Sequence, residues 1–242
     1  RKAFILNEKL AADFPAVTEY RYELLKSLFS LGIVSLNNNH TADAEQFLRR
    51  AAQIGEQLVA ESPTTVYYRT RLANVYRNLA HALRTVGQVA EAESNYWKSI
   101  NHYEDWLAAI PDATADLTQV LASYLALAQL LTTAGRHEEA AEVYRRPTDC
   151  ALLNEIAWAL ATSPSGQGRD LELAEELARK AIELDPKFAT AYHTRAWIHA
   201  ARGQWSRVAA DFESILELDP GNSEAWRLAA YAYLAAGDAA SY

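Results

Sequence analysis

The 242-residue chain reads as an all-α protein built of stacked antiparallel helix hairpins, and three features of its sequence say so. It holds 9 glycines and 7 prolines, about 7% of its residues against a usual share near 12%, too few for the turns of a β-sandwich. Its apolar residues step by three and four, as at Leu24, Leu28, Leu31 and Val34 and again at Leu72, Tyr76, Leu79 and Leu83, which is the period of one buried helix face. And it repeats itself.

Pro15, Pro63 and Pro111 stand 48 residues apart, and other positions keep that register. Tyr20-Arg21 returns as Tyr68-Arg69, Leu31 as Leu79 and Leu127, Asn39 as Gly87 and Gly135, and Ala44 as Ala92 and Ala140. Residues 1–14 correspond to a second helix of a preceding unit, and residues 15–147 to long units, the third of them shortened. Each complete long unit has room for two helices of about 20 residues, near 30 Å at 1.5 Å per residue. At Arg145-Arg-Pro-Thr-Asp149 the register breaks, because Pro147 falls where helix is expected and removes a hydrogen bond there.

Residues 148–242 then follow a 34-residue period. Leu184-Asp-Pro186 returns as Leu218-Asp-Pro220, Ala191-Tyr192 as Ala225-Trp226, and Gly203 as Gly237. A first short unit carries an insertion at 163–169, and a last one stops at Tyr242. These units have room for helices of about 14 residues, with Asn39, Gly87, Gly135, Gly203 and Gly237 as left-handed stops and Thr41, Asp170 and Ser223 as N-caps. Arg1 at the start and the absence of methionine mark the sequence as a fragment or processed piece.

The unit from Ala189 sets Tyr192, Arg195-Ala196, His199, Val208, Phe212 and Pro220 at the slots of a tetratricopeptide (TPR) repeat, which the chain resembles over nearly its whole length. The resemblance implies a right-handed superhelical solenoid whose first helices line a partner-binding groove. More narrowly, the run Leu152–Pro164, Arg169-Asp170, Ala178–Pro186 and the run Leu10–Arg21 resemble the TPR tails of large planctomycete-type bacterial serine/threonine kinases. That implies a neighbouring domain in a bacterial protein; no kinase motif lies in these residues.

Composition narrows the functions. With 50% apolar and 22% charged residues the chain is globular, and no run approaches the about 18 apolar residues of a membrane helix. The net charge of −8, without a basic block, argues against nucleic-acid binding. The lone Cys150 rules out an internal disulfide and suits a reducing cytoplasm. Catalytic motifs fail one by one. Gly166-Gln-Gly168 lacks the rest of a phosphate loop, and His137-Glu-Glu139 has Ala141 where a zinc helix needs its second histidine. His193 and His199, six apart, face different sides of a helix. No catalytic residue, metal or cofactor is expected.

What remains is the groove. Alignment on the turns puts Lys26, Phe29 and Ile33 there in the first unit, Asn74, Arg77, Asn78, His81 and Arg84 in the second, and Leu125 and Gln129 in the third. Trp158, Trp197 and Tyr231 follow in the short units. The Asn74-to-Arg84 stripe, with Trp158 and Trp197, is the candidate site. Its expected ligand is a protein or peptide, acidic or presenting a C-terminal carboxylate. The bland alternatives are a solvated polar helix face for the stripe and interhelix packing for the tryptophans. Three functions stay open: an interaction scaffold, a recruiting region of a serine/threonine kinase, and a module that self-associates end to end.

Overall fold

The computed structural model describes residues 2–109, 117–163 and 169–237. Pro111, residues 164–168 of the insertion and Tyr242 lie outside them. The described residues form twelve α-helices and no strand: α1 Lys2–Asp13, α2 Thr18–Asn37, α3 Thr41–Glu61, α4 Val66–Thr85, α5 Val89–Ala109, α6 Leu117–Thr133, α7 His137–Arg145, α8 Cys150–Thr162, α9 Leu171–Leu184, α10 Ala189–Ala201, α11 Trp205–Leu218 and α12 Ser223–Ala236. The chain divides into two compact units, Arg1–Ala140 and Ala141–Tyr242.

In the first unit each helix from α1 to α6 packs on the next, and α2 touches α4, which touches α6. These three first helices therefore share a layer. The turns behind them come from backbone chemistry. Asn39, Gly87 and Gly135 have φ of 59°, 78° and 77°, and each closes a double cap: Gly87 N–H donates to Arg84 O at 3.1 Å and Gln88 N–H to Leu83 O at 2.9 Å. This pair satisfies carbonyls that the helix end leaves open.

Small residues set how closely the helices approach. A Cβ on Gly32 would sit 2.7 Å from Leu48 Cγ, so α2 and α3 meet there without room for a methyl group. In the next hairpin Ala80 takes the position of Gly32 and Ala92 that of Ala44, and both are fully buried. Tyr76 and Tyr124, both buried, fill the adjoining gaps, and each hydroxyl donates to a glutamate of the preceding helix, Glu56 and Glu104 respectively. The register of 48 thus repeats a polar staple as well as an apolar face.

Two expected N-caps move by one residue. Helix α3 starts at Thr41, so His40 occupies the cap position without a side-chain bond. Helix α12 starts at Ser223, and it is Asn222 whose side chain accepts from Ala225 N–H at 2.9 Å. Asn is at least as good a cap as Ser, which is why the longer side chain one place earlier takes the role. Asp170 caps α9 as expected, accepting from Glu172 and Leu173.

Within the second unit, α8 packs on α9 and α10, α9 on α10, α10 on α11, and α11 on α12. Helix α7 stops at Arg145, two residues before the buried Pro147. The freed carbonyls are not left bare: Lys180 Nζ donates to Arg145 O at 2.6 Å and to Pro147 O at 3.2 Å. A polar network that the sequence did not announce joins α9, α10 and α11. Asp211, 2% exposed, accepts from Arg195 Nε and Nη2 at 2.9 and 2.6 Å and faces His199 Nδ1 at 3.0 Å. His199 Nε2 faces Glu175 at 3.2 Å, and Arg202 closes the chain on that carboxylate.

Two stability experiments follow. Ala92→Leu is expected to overpack the second hairpin and cost about 1–3 kcal/mol, read as a lower denaturant midpoint. Asp211→Ala strands Arg195 and His199 inside the unit and is expected to cost about 3–5 kcal/mol, several times the loss from removing the exposed ion pair Arg179–Glu183.

Candidate partner-binding groove

The five stripe residues all sit on α4, at steps of three and four, between its layer neighbours α2 and α6. Asn74 ties its amide nitrogen to Thr70 O at 3.0 Å, and Asn78 spends one N–H on Asn74 O at 2.8 Å. Arg77 Nη2 donates to Asn74 Oδ1 at 3.1 Å and to Gln119 Oε1 of α6, while its Nε is buried without an acceptor. Arg84 Nη1 reaches Gln129 Oε1 of α6 at 3.4 Å, a long and weak bond. On the α2 side Arg71 lies over the Phe29 ring at 5.5 Å, and Lys26 pairs with Glu23 and covers Tyr22.

The partners of Arg77 and Arg84 are neutral amides. Apart from Arg71, which lies over Phe29, arginine elsewhere in the unit meets carboxylate, as in Arg21 with Glu61, Arg49 with Glu91, Arg69 with Asp105 and Arg136 with Glu93. So the inner stripe keeps positive charge that the rest of the unit cancels. His81 registers it: burial of its ring, then the charges of Arg84 and Arg77, lower its pKa below the ordinary histidine value. Its charge change therefore falls below neutrality rather than at it.

In the second unit, Trp158 of α8 and Trp197 of α10 pack edge to face with centroids 5.6 Å apart, and Arg169 lies over the Trp197 ring at 5.6 Å. Trp158 remains 38% exposed, so the two rings pack together while Trp158 still meets solvent. Tyr231 is exposed on α12. The Cys150 thiol is pushed up by burial and then by Asp149 and Asp185, the opposite of what a nucleophile needs. Among the described residues no three His, Cys, Asp or Glu side chains are grouped to hold a metal ion, and no helix is long and apolar enough to cross a membrane.

Sequence reasoning overlooked Gln119 and Arg71. In the 48-residue register they are equivalent positions, one helix turn from the stripe, and that offset was the available signal. It also set His199 aside as half of a failed metal pair. Reading Arg195 and His199 at four-residue spacing, against the charged Asp211 in an otherwise apolar helix face, would have pointed to a buried ion network.

The repeated hairpins with left-handed turns define a helical repeat protein. The family model that matches is the tetratricopeptide repeat, over residues 121–146, which take in α6 from Leu121, the Gly135 turn and α7. A curated relative, Protein SGT1 homolog of Oryza sativa subsp. japonica, is 40% identical over 57 residues, 24% of this chain; the match spans 16% of that protein's length. Among solved structures, BtubC from P. vanneervenii is similar at 17% identity and a TM-score of 0.46, over 95% of this chain and 88% of that one. YrrB, described as a TPR protein with an unusual peptide-binding site, gives 18% and 0.39 over 78% and 86%. PilF of Pseudomonas aeruginosa gives 18% and 0.38 over 92% and 90%.

A pH dependence follows from two histidines of the first unit. His102, stacked on Tyr76 at 8° between planes, has its pKa lowered mainly by burial, in a field that also contains Asp105, Arg69, Glu56 and Lys98. His81 is lowered too. A histidine whose folded pKa is depressed stabilises the fold above its unfolded value of about 6.5 and loses that contribution as pH falls through the folded value. The melting midpoint is thus expected to drop between pH 7 and 5, and a His81→Gln, His102→Phe double variant to flatten that drop.

Proposed function

We propose that this chain is a non-catalytic protein-interaction scaffold whose first unit receives an acidic peptide along Asn74, Arg77, Asn78, His81 and Arg84. One observation carries the reading: in a chain of net charge −8, two arginines seven residues apart on an inner helix are held by neutral amides. Amide partners orient a guanidinium without cancelling its charge, so a carboxylate ligand meets a prepared donor fork. An acidic surround also makes that stripe the favoured landing place for an anionic segment. The partly exposed Trp158 in the second unit supports a further, apolar contact by the same partner or another.

The resemblance of residues 10–21 and 152–186 to kinase tails supports a finer version, in which the scaffold recruits substrates or regulators to a bacterial serine/threonine kinase in the cytoplasm. The nucleotide sequence upstream of Arg1 tests it: a glycine-rich loop followed by His-Arg-Asp and Asp-Phe-Gly sustains the version, and their absence removes it.

The groove itself is tested by selecting from a displayed library of acidic peptides and measuring the winners against Arg77→Glu, Arg84→Glu. The expected result is a loss of more than tenfold in affinity with helical signal intact and stability within about 1 kcal/mol of the parent. A folded double variant that binds equally well overturns the assignment and turns attention to Trp158 and Trp197.

A further inference from the structure

One arginine of the second unit rests on an indole and not on a carboxylate. Arg145, Arg179, Arg195, Arg202 and Arg227 each meet a carboxylate within that unit. Arg169 lies over the Trp197 ring, 5.6 Å from its centroid, and among the described residues no carboxylate pairs with it. The half-buried Trp197 is fixed in turn by Trp158, packed edge to face with it at 5.6 Å. Each tryptophan stands four residues before the C-terminal end of its helix, α8 or α10. Such ends carry partial negative charge, which adds to the attraction of an indole for a cation. The backbone beside Arg169 is pinned: Asp170 N–H donates to Leu160 O at 3.3 Å, and the Asp170 carboxylate caps α9. Arg169 itself is exposed, so its head leaves the ring by rotation of its own stem, without movement of that backbone.

We propose that the Trp158–Trp197 pair is a recognition platform for a guanidinium, held closed in cis by Arg169 and opened by an arginine-bearing partner. The chain shows the ligand chemistry on its own platform, because Arg169 occupies the place of the incoming group. Charge favours that ligand: residues 150–242 carry a net charge of −5, and Glu155 is exposed one turn before Trp158 on α8. A guanidinium suits the indole better than an ammonium does, since it is planar, stacks on the ring and is more weakly hydrated. An anionic segment would have to displace Arg169 and would then meet the electron-rich face of the ring. The tethered guanidinium competes at an effective concentration on the order of millimolar. A lone arginine side chain is therefore held off, and a partner that brings further contacts gets through. Arg169 thus sets a threshold for binding as well as mimicking the ligand. No residue of the first unit takes part, so this assignment stands or falls separately from the acidic-peptide reading of α4.

The test follows the indole N–H resonances of Trp158 and Trp197 by NMR on the whole chain, assigned with Trp158→Phe and Trp197→Phe. Arg169→Gln, a substitution at an exposed position, is expected to leave the melting midpoint nearly unchanged and to move the Trp197 resonance. Two probes are then titrated: acetyl-Gly-Gly-Arg-Gly-Gly-amide, and the same peptide with citrulline, which keeps the planar head and lacks the charge. The arginine peptide is expected to shift the Trp197 resonance of Arg169→Gln saturably, and to bind it at least tenfold more tightly than it binds the parent chain. The citrulline peptide is expected to bind that variant at least tenfold more weakly than the arginine peptide does. Adding Trp197→Phe is expected to weaken the arginine peptide severalfold, because phenylalanine holds a cation less well than tryptophan. Equal binding to the parent and to Arg169→Gln overturns the closure by Arg169, as does an unmoved Trp197 resonance in that variant. Equal binding of arginine and citrulline, undiminished binding after Trp197→Phe, or no binding at all overturns the platform.

Discussion

How closely two helices approach decides almost everything in the first unit. At Gly32 the distance to Leu48 leaves no space for a methyl group, and at Gly55 a Cβ would lie 2.8 Å from Leu72. The contact at Gly32 needs a turn that reverses the chain at once, which Asn39 supplies by entering the left-handed region, as the glycines at 87 and 135 do in the units that follow. Close packing of α2 on α3 and of α4 on α5 then brings α2, α4 and α6 side by side as one layer. That layer is what brings Arg77 and Arg84 to the amides of Gln119 and Gln129 across the gap between α4 and α6. The charge pattern of the inner face is thus a consequence of small residues elsewhere.

The two units solve the problem of polar groups within a helical stack differently. In the first, hydroxyls of Tyr76 and Tyr124 reach glutamates on the preceding helix, a neutral donor to a half-exposed anion that leaves no buried charge. In the second, Asp211 is drawn fully inside and needs Arg195 and His199 to compensate it. Charge burial of that kind adds little net stability but fails badly if one member is removed. It ties α9, α10 and α11 into a set that stands or falls together, whereas the tyrosine staples act hairpin by hairpin, as expected where repeats contact their neighbours alone.

Much of the fold was legible because period and turn chemistry are local. Five positions chosen as turn residues adopt positive φ, and the helices of the long units reach the length their spacing implied. Cap positions were less legible: whether Ser223 or Asn222 caps α12 depends on where the preceding turn ends, which a one-residue shift in the Pro220 loop decides. The Asp211 network was hidden because its bonds join residues 12 to 27 apart on different helices. The stripe on α4 was visible as a pattern, but its significance was not. Arginine on a helix face reads as solvation until one sees that Gln119 and Gln129, not glutamates, stand opposite.

That choice of neutral partner bears on how such a groove binds at all. A guanidinium paired with a carboxylate must break the pair before it receives a ligand, and the exchange returns little free energy. A free guanidinium on a mobile stem avoids that loss but gives up side-chain entropy when it is ordered. Arg77 stands between these limits: Asn74 and Gln119 hold its head in place, its Nε is shielded from water without an acceptor, and its charge is intact. Arg84, with its long contact to Gln129, is held more loosely near the C-terminal end of α4. The groove therefore has a fixed donor in its middle and an adaptable one at its mouth. Under the proposed function, this asymmetry favours an acidic ligand that is placed first by Arg77 and then accommodated by movement of Arg84.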